Sequence, residues 1–297
     1  MKTFNLFIKK YNIYLLLACI ILLQTVCLTV SFANNKKGYH SDELWSYGFA
    51  CSSEGMNVFS ERDGRTPKNM DKWVDSSVLH NYITIDRSET FDYASVYQNS
   101  ADDYHPFLYF ALLHFICSIF PGTFSMWYAY VINIIFFIIQ QIFLFKLIRS
   151  LTSNSYWGII GTFFFGLTTG SENILFFLRM YCPATALSVV LFYYLTELYN
   201  KRNDSKISKS LFIKLFITTL AGCLMLHEFI ILAFIAALLY GLYYLFTKHI
   251  KCALIFGGTM ISSALLSIGI FPSTIQHLFG STGTFGGHVK KYSFMFQ

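Results

Sequence analysis

The chain has 297 residues, of which 55% are hydrophobic and only 13% are charged, whereas a soluble domain carries about 25% charged residues. This composition excludes an ordinary soluble protein and indicates a polytopic membrane protein. The net charge of +6 does not indicate nucleic-acid binding, because it reflects Lys and Arg in loops, where they orient membrane helices. The seven cysteines, mostly within apolar runs, are interpreted as small hydrophobic residues and predict no disulfide framework.

The first apolar run, 11–32, follows Lys9 and Lys10 and predicts a membrane helix. Its apolar part is roughly 20 residues long, which exceeds the about 7–15 residues of a signal-peptide core. We therefore expect an uncleaved first helix, although the sequence at 31–33 resembles a cleavage site. Seven further apolar runs follow it: 104–120, 124–145, 156–169, 174–198, 211–226, 229–246 and 252–271.

The run 104–120 is expected to lie along the membrane surface rather than to cross it. It is short, Pro121 ends it, and Pro106 suits the first turn of a helix. If it crossed, the basic loop around Lys201 would fall outside, against the tendency of Lys and Arg to stay in the cytoplasm. The sequence therefore predicts seven spans, with the N-terminus in the cytoplasm and the C-terminal tail outside.

This topology makes the chain a single all-α transmembrane module with four parts. They are a first helix (11–32), a long first outer loop with juxtamembrane helices (33–123), a helical bundle (124–271) and the start of a second outer loop (272–297). Of the 16 acidic residues only Glu197 and Asp204 fall inside, and of the eight histidines only His249 does. Because titratable groups gather on the outer face, the sequence predicts the functional site there.

Two polar stretches of the first outer loop are candidates for that site. Asp42 and Glu43 follow Ser41, a candidate N-cap. They are either first-turn charges that favour the helix dipole or catalytic carboxylates. The stretch DDYHP at 102–106 is either a solvated helix cap or a ligand set for a metal ion or a phosphate. The residues alone leave these alternatives open.

Further charged and imidazole groups occupy later outer positions. Arg179 lies near the outer end of a span, where a charge is costly unless it has a partner or reaches water. His227 occupies a tight outer turn that is either simply polar or part of a site. His277, Lys290 and Lys291 follow the last span.

Three stretches in chain order resemble the GT-C membrane glycosyltransferases: DELWSYG from Asp42, DDYHPFLYFALLHFICSIFPG from Asp102, and FFLRMY around Arg179. More narrowly, they resemble the bacterial branch related to protein O-mannosyltransferases and to the lipid A aminoarabinose transferase. The resemblance covers nearly the whole chain. Family members have an acidic catalytic residue and juxtamembrane helices in the first outer loop, and another outer loop after the seventh span. The resemblance thus implies a GT-C-like fold in the cell membrane, with its active site on the outer face.

The resemblance also implies a reaction. The donor is a sugar on a polyprenyl phosphate, the acceptor is an unidentified glycan, lipid or protein, and no nucleotide cofactor is expected. Asp42 matches the catalytic acidic residue and acts as a general base on the acceptor hydroxyl, with Glu43 supporting it. The candidate partners of the leaving phosphate are His105, Arg179, His227, Lys290 and Lys291. Some relatives hold a divalent metal ion, for which the candidate ligands here are Asp103, His105 and His277.

Two features depart from the family pattern. Phe107 stands where relatives usually have a second proline, and the chain stops within the second outer loop, so we expect a truncated form.

A transporter or lipid flippase is an alternative, but such proteins place polar groups in the middle of the membrane and often show repeats, neither of which stands out here. A non-catalytic assembly protein is another alternative, and it would tolerate the loss of Asp42. The sequence favours the glycosyltransferase over both.

Overall fold

The computed structural model describes residues 2–59, 68–69, 73–204 and 208–279, except for the side chains of 2–11 and 56. Lys290 and Lys291 lie outside these residues. Within them the chain forms α-helices, two short 3-10 turns and no strand. The α-helices are α1 (Lys2–Asn35), α2 (Ser41–Cys51), α3 (Ser76–Ile83), α4 (Tyr93–Asp102), α5 (Leu108–Ile119), α6 (Met126–Thr152), α7 (Ser155–Gly166), α8 (Thr169–Phe176), α9 (Tyr181–Asn200), α10 (Lys209–Met225), α11 (Glu228–Phe246), α12 (Ile250–Ile270) and α13 (Ser273–Phe279).

Four helices in the described part of the chain are long and apolar enough to cross a membrane: the part of α1 from Asn12 to Asn35, α6, α11 and α12. Large apolar side chains such as Leu22, Phe234 and Leu254 are exposed on their surfaces, as expected for helices that contact lipid. The chain is therefore an all-helical membrane protein. The total of seven spans stays a prediction, since α7 has 12 residues and α10 has 17, fewer than the about 20 that usually cross a bilayer.

The helix predicted to lie on the surface is present as α5. Its 12 residues extend about 18 Å at 1.5 Å per residue, which is less than the about 30 Å of the hydrocarbon core. Tyr109, Phe110 and Leu113 are fully buried, and the rings of Phe110 and Phe49 of α2 are 5.4 Å apart. One face of α5 thus packs into the protein, and the helix is too short to cross a membrane.

Hydrogen bonds identify the two ends of the helical bundle. At one end Arg149 of α6 donates to the Tyr14 hydroxyl at 2.8 Å, so the end of α6 lies beside the start of the apolar part of α1. At the other end Tyr47 of α2 donates to the carbonyl of Ser125, the residue before α6, at 2.6 Å. The helices between α1 and α6, which form the predicted first outer loop, therefore gather where α6 begins, opposite to the basic residues at its end.

The apolar run predicted at 174–198 is not one helix. α8 ends at Phe176 and α9 begins at Tyr181, which leaves 177–180 as a non-helical link. Pro183 is tolerated in the first turn of α9, but it has no N–H with which to continue the helix backwards. The link therefore interrupts the predicted segment, and Arg179 lies on the link rather than on a helix.

Candidate functional site

α2 begins at Ser41, as predicted, but its N-cap is His40 rather than Ser41. The Nδ1 of His40 accepts the N–H of Asp42 at 3.2 Å, and the Glu43 carboxylate accepts the N–H of His40 at 2.8 Å. These two bonds form a capping box in which a histidine replaces the usual Ser or Thr. The two acidic side chains of this turn differ in exposure: that of Asp42 is 31% exposed, whereas that of Glu43 is 0% exposed.

Glu43 is a buried anchor for the link at 177–180. Its carboxylate accepts two hydrogen bonds from the Lys36 amine, at 2.7 and 2.8 Å, and one from the N–H of Leu178 at 2.9 Å. An ionised carboxylate only accepts hydrogen bonds, so this set of donors satisfies it. Glu43 therefore connects α2 to the link that carries Arg179, while its predicted support of catalysis stays a prediction.

Asn133, in the apolar core of α6, holds the same link from the other side. Its amide donates to the carbonyls of Leu175 at 2.9 Å and of Phe177 at 3.0 Å. Buried carbonyls need such partners where a helix is interrupted inside a membrane protein. Asn133 was not among the predicted site residues, although a polar residue within an apolar run is a signal that could have identified it.

Four of the predicted site residues, Asp42, Asp103, His105 and Arg179, meet in one charged cluster. Arg179 Nη1 donates to Asp42 Oδ2 at 2.5 Å, and its Nη2 donates to His105 Nε2 at 3.3 Å. Because arginine is only a donor, His105 carries its proton on Nδ1, which donates to Asp103 at 2.8 Å. The result is a continuous series of polar contacts between three segments that are far apart in the sequence.

His227 and His277 form a buried pair next to this cluster. The Nε2 of His277 donates to the carbonyl of Ala101 at 3.1 Å, so its Nδ1 accepts the Nε2–H of His227 at 3.2 Å. Burial, with the neighbouring histidines adding to it, lowers the pKa of His227 to about 3, and burial also lowers the pKa of His277. Both rings are therefore neutral at pH 7, and His227 is a hydrogen-bonding group rather than a cation.

The predicted metal ligands do not form one set. Asp103 and His105 bond each other, whereas His277 uses both ring nitrogens for Ala101 and His227. No group of three or more His, Cys, Asp or Glu side chains within the described ranges is arranged to hold a metal ion. Asp103, His105 and His277 are therefore not gathered around one position in the described part of the chain, and the metal site stays a prediction.

Three cavities differ in polarity and in position. An almost wholly apolar groove of about 540 Å³ adjoins the link and is lined by Asn173, Ile174, Phe177, Tyr181 and Thr185. A smaller cavity of about 260 Å³ shares Tyr181 and Thr185 and reaches α11. A more polar cavity of about 590 Å³ lies in the first outer loop; its lining includes Glu54, His80, Asn81, Tyr82 and Asp86. Space for an apolar chain thus lies beside the link that carries Arg179.

Comparison with known proteins finds no similar chain: no family model, no curated protein and no solved structure matches. The interpretation of the site therefore rests on the sequence motifs and on the geometry of the charged cluster.

Proposed function

We propose that the chain is a membrane glycosyltransferase with a GT-C-like module. It transfers a sugar from a polyprenyl-phosphate donor to an acceptor hydroxyl on the outer face of the cell membrane. The observation that carries this proposal is the contact between Asp42 and Arg179, which pairs a carboxylate able to take a proton with a cation able to bind a phosphate. The contact lies at the end of the bundle where the outer-loop helices gather. Such a position suits a substrate that is lipid at one end and sugar at the other.

Asp42 acts as the general base. Its side chain is 31% exposed, so an acceptor hydroxyl can reach it. As Asp42 takes the proton, the acceptor oxygen bonds to the anomeric carbon of the sugar and the bond from that carbon to the phosphate oxygen breaks. Glu43 supports this geometry indirectly, because it fixes both α2 and the link that carries Arg179.

Arg179 binds the phosphate of the donor and stabilises it as it leaves. Its side chain is only 5% exposed, and limited contact with water strengthens an interaction between opposite charges. The Nε of Arg179 is buried without a hydrogen-bond partner within the described residues, so this donor is free for a ligand. The ring N–H of His105 bonds Asp103 and that of His227 bonds His277, so in these tautomers neither ring donates to the phosphate. His105, His227, Lys290 and Lys291 remain proposed phosphate ligands, and a histidine takes that role only by redirecting its N–H or by gaining a proton.

The apolar groove beside the link takes the first isoprene units of the donor. Phe177 and Tyr181 line it, and these two residues flank Arg179 in the chain. A phosphate on Arg179 therefore places the attached lipid next to apolar surface, so that the tail stays in the membrane while the sugar reaches Asp42. Burial of apolar surface favours binding by about 25 cal/mol per Å².

The proposed topology has seven spans, with the N-terminus in the cytoplasm. It is supported by the separation of charges: Arg149 lies at the end of the bundle opposite to the charged cluster. Lys201 lies at the same end, because the neighbouring Asn200 donates to Ser150 at 2.9 Å. Lys and Arg prefer the cytoplasmic side, so the cluster faces outward. Cysteine labelling in intact cells should report Ser125→Cys as outside and Asn203→Cys as inside, and a reversed result contradicts this topology.

The function is tested with the chain in native-like membranes, supplied with a panel of radiolabelled polyprenyl-phosphate sugars and with extracts of envelope glycans, lipids and proteins. Transfer of label that depends on the chain and is lost in Asp42→Asn supports the proposal. Movement of the intact donor across the membrane without transfer supports the flippase alternative instead. Equal transfer by the wild type and Asp42→Asn contradicts the proposed role of Asp42.

A further inference from the structure

Two of the seven cysteines lie on helices of the first outer loop. Cys51 is the last residue of α2, and Cys117 lies near the end of α5. The other five are on helices of the bundle: Cys19 and Cys27 on α1, Cys182 on α9, Cys223 on α10 and Cys252 on α12. The outer loop therefore has one cysteine on each of two helices that pack together.

The packing of α2 on α5 brings these two cysteines next to each other. His114 Nδ1 donates to the carbonyl of Ala50, the residue before Cys51, at 2.6 Å. Cys117 follows His114 by three residues, so it lies on the same face of α5, about one turn further on. Both cysteines belong to the same buried apolar cluster, which agrees with this register.

Both cysteines are enclosed by the protein. Cys51 is 3% exposed and Cys117 is 2% exposed, and both belong to the largest buried apolar cluster, which joins the outer-loop helices to the bundle. Burial and the neighbouring thiol raise the pKa of Cys51 well above its ordinary value. The folded protein therefore keeps this thiol protonated and unreactive, so any oxidation has to occur while the loop folds.

We propose that Cys51 and Cys117 form a structural disulfide that fastens α2 to α5. The structure holds both as neighbouring free thiols. The oxidant is the disulfide of a thiol–disulfide oxidoreductase on the outer side of the membrane. One cysteine thiolate attacks that disulfide and releases one oxidant thiol, and the second cysteine then displaces the other. Two protein thiols are thus oxidised to one disulfide, and the oxidant disulfide is reduced to two thiols.

The bond has a consequence for the charged cluster. It links α2, whose first turn contains Asp42 and Glu43, to α5, which follows His105 in the chain. It therefore restricts how far the two helices that flank the cluster can separate. This inference does not depend on sugar transfer; it requires only that the first outer loop reaches an oxidising compartment.

The test counts reactive thiols in the full chain, taken from membranes of a host that forms disulfides outside the cytoplasm. Acid-quenched protein is denatured and labelled with a maleimide polymer, with or without prior reduction, and the gel shift gives the number of labels. We expect five labels without reduction and seven after it. Peptide mass spectrometry without reduction should join the peptide containing Cys51 to the peptide containing Cys117.

Two variants distinguish the Cys51–Cys117 disulfide from other causes of low labelling. Cys117→Ala should give six labels with and without reduction, because it releases Cys51. Cys223→Ala, equally buried but on α10, should give four labels without reduction and six after it. Seven labels in the unreduced wild type, or a disulfide between any other two cysteines, overturns the proposal. If the wild type gives the expected label counts but transfers no sugar, the proposed function is contradicted and the disulfide is not.

Discussion

Arg179 Nη1 and Asp42 Oδ2 lie 2.5 Å apart although 137 residues separate them in the chain. The same guanidinium donates to His105, so a bound phosphate would compete with both partners for its N–H groups. In the proposed reaction, a donor phosphate that draws Arg179 away from Asp42 would leave the carboxylate free to accept a proton. Donor binding would then make the proposed base available.

Asp42→Asn should reduce sugar transfer on the order of 10²–10⁴-fold, because an amide cannot act as a general base. The free energy of unfolding should fall by only about 1–3 kcal/mol, since the amide oxygen can still accept from Arg179. Transfer rates at matched membrane levels measure the first effect, and thermal unfolding in detergent measures the second. Asp204→Asn, an exposed acid in the loop between α9 and α10, is the control and should change neither.

Arg179→Ala should raise the donor concentration needed for half-maximal transfer more than Arg179→Lys does. Either cation can attract a phosphate, but only arginine has the planar group that donates in two directions at once. Steady-state transfer against donor concentration measures this for the wild type and both variants. If donor dependence is the same in all three, Arg179 holds Asp42 and His105 in place and does not bind the phosphate.

Glu43→Gln should destabilise the protein more than Asp42→Asn does. The carboxylate is fully buried and accepts from Lys36, His40 and Leu178, so the variant leaves the Lys36 ammonium, whose side chain is 16% exposed, without its anionic partner and turns an amide N–H₂ towards a donor. Breaking a buried ion pair in this way costs about 3–5 kcal/mol. Thermal unfolding of both variants side by side provides the comparison. A stable Glu43→Gln protein that lacks transfer would instead assign Glu43 a direct part in the chemistry.

The sequence predicted much of this arrangement because local rules govern it. The helix at Ser41, the short α5 and the four long apolar helices follow from apolar patterning, Pro106 and length. The break at 177–180 was not predicted. It depends on Asn133 and Glu43, which reach the link across 42 and 135 residues of sequence, and no local pattern encodes such contacts. The family resemblance, not the local pattern, suggested that Asp42 and Arg179 belong to one site.

Gly48→Ala should destabilise the first outer loop. A Cβ at this position would lie 1.8 Å from the Tyr82 ring, which is only 1% exposed, so the ring would have to leave its packed position. Forcing an added methyl group into a packed core costs about 1–3 kcal/mol. Thermal unfolding and the rate of proteolysis between α2 and α5 measure the effect. Gly38→Ala is the matched control, since nothing lies within 4 Å of its added Cβ, and equal behaviour of the two variants would contradict the close packing of α2 on α3.

The buried pair of His227 and His277 should make the protein sensitive to mild acid. The folded pKa of His227 is about 3 and its ordinary value is 6.5, so between these values the unfolded chain binds a proton that the folded chain does not. The stability due to the neutral ring is therefore complete above pH 6.5 and is lost as the pH falls towards 3, by about 1.4 kcal/mol per pH unit for one such group.

His227→Gln keeps a donor towards His277 but does not titrate, so its melting temperature should fall less than that of the wild type between pH 7 and pH 5. His80→Gln, at an exposed histidine, should follow the wild type. Parallel melting curves for His227→Gln and the wild type across this range would mean that water reaches the His227 ring in the folded protein.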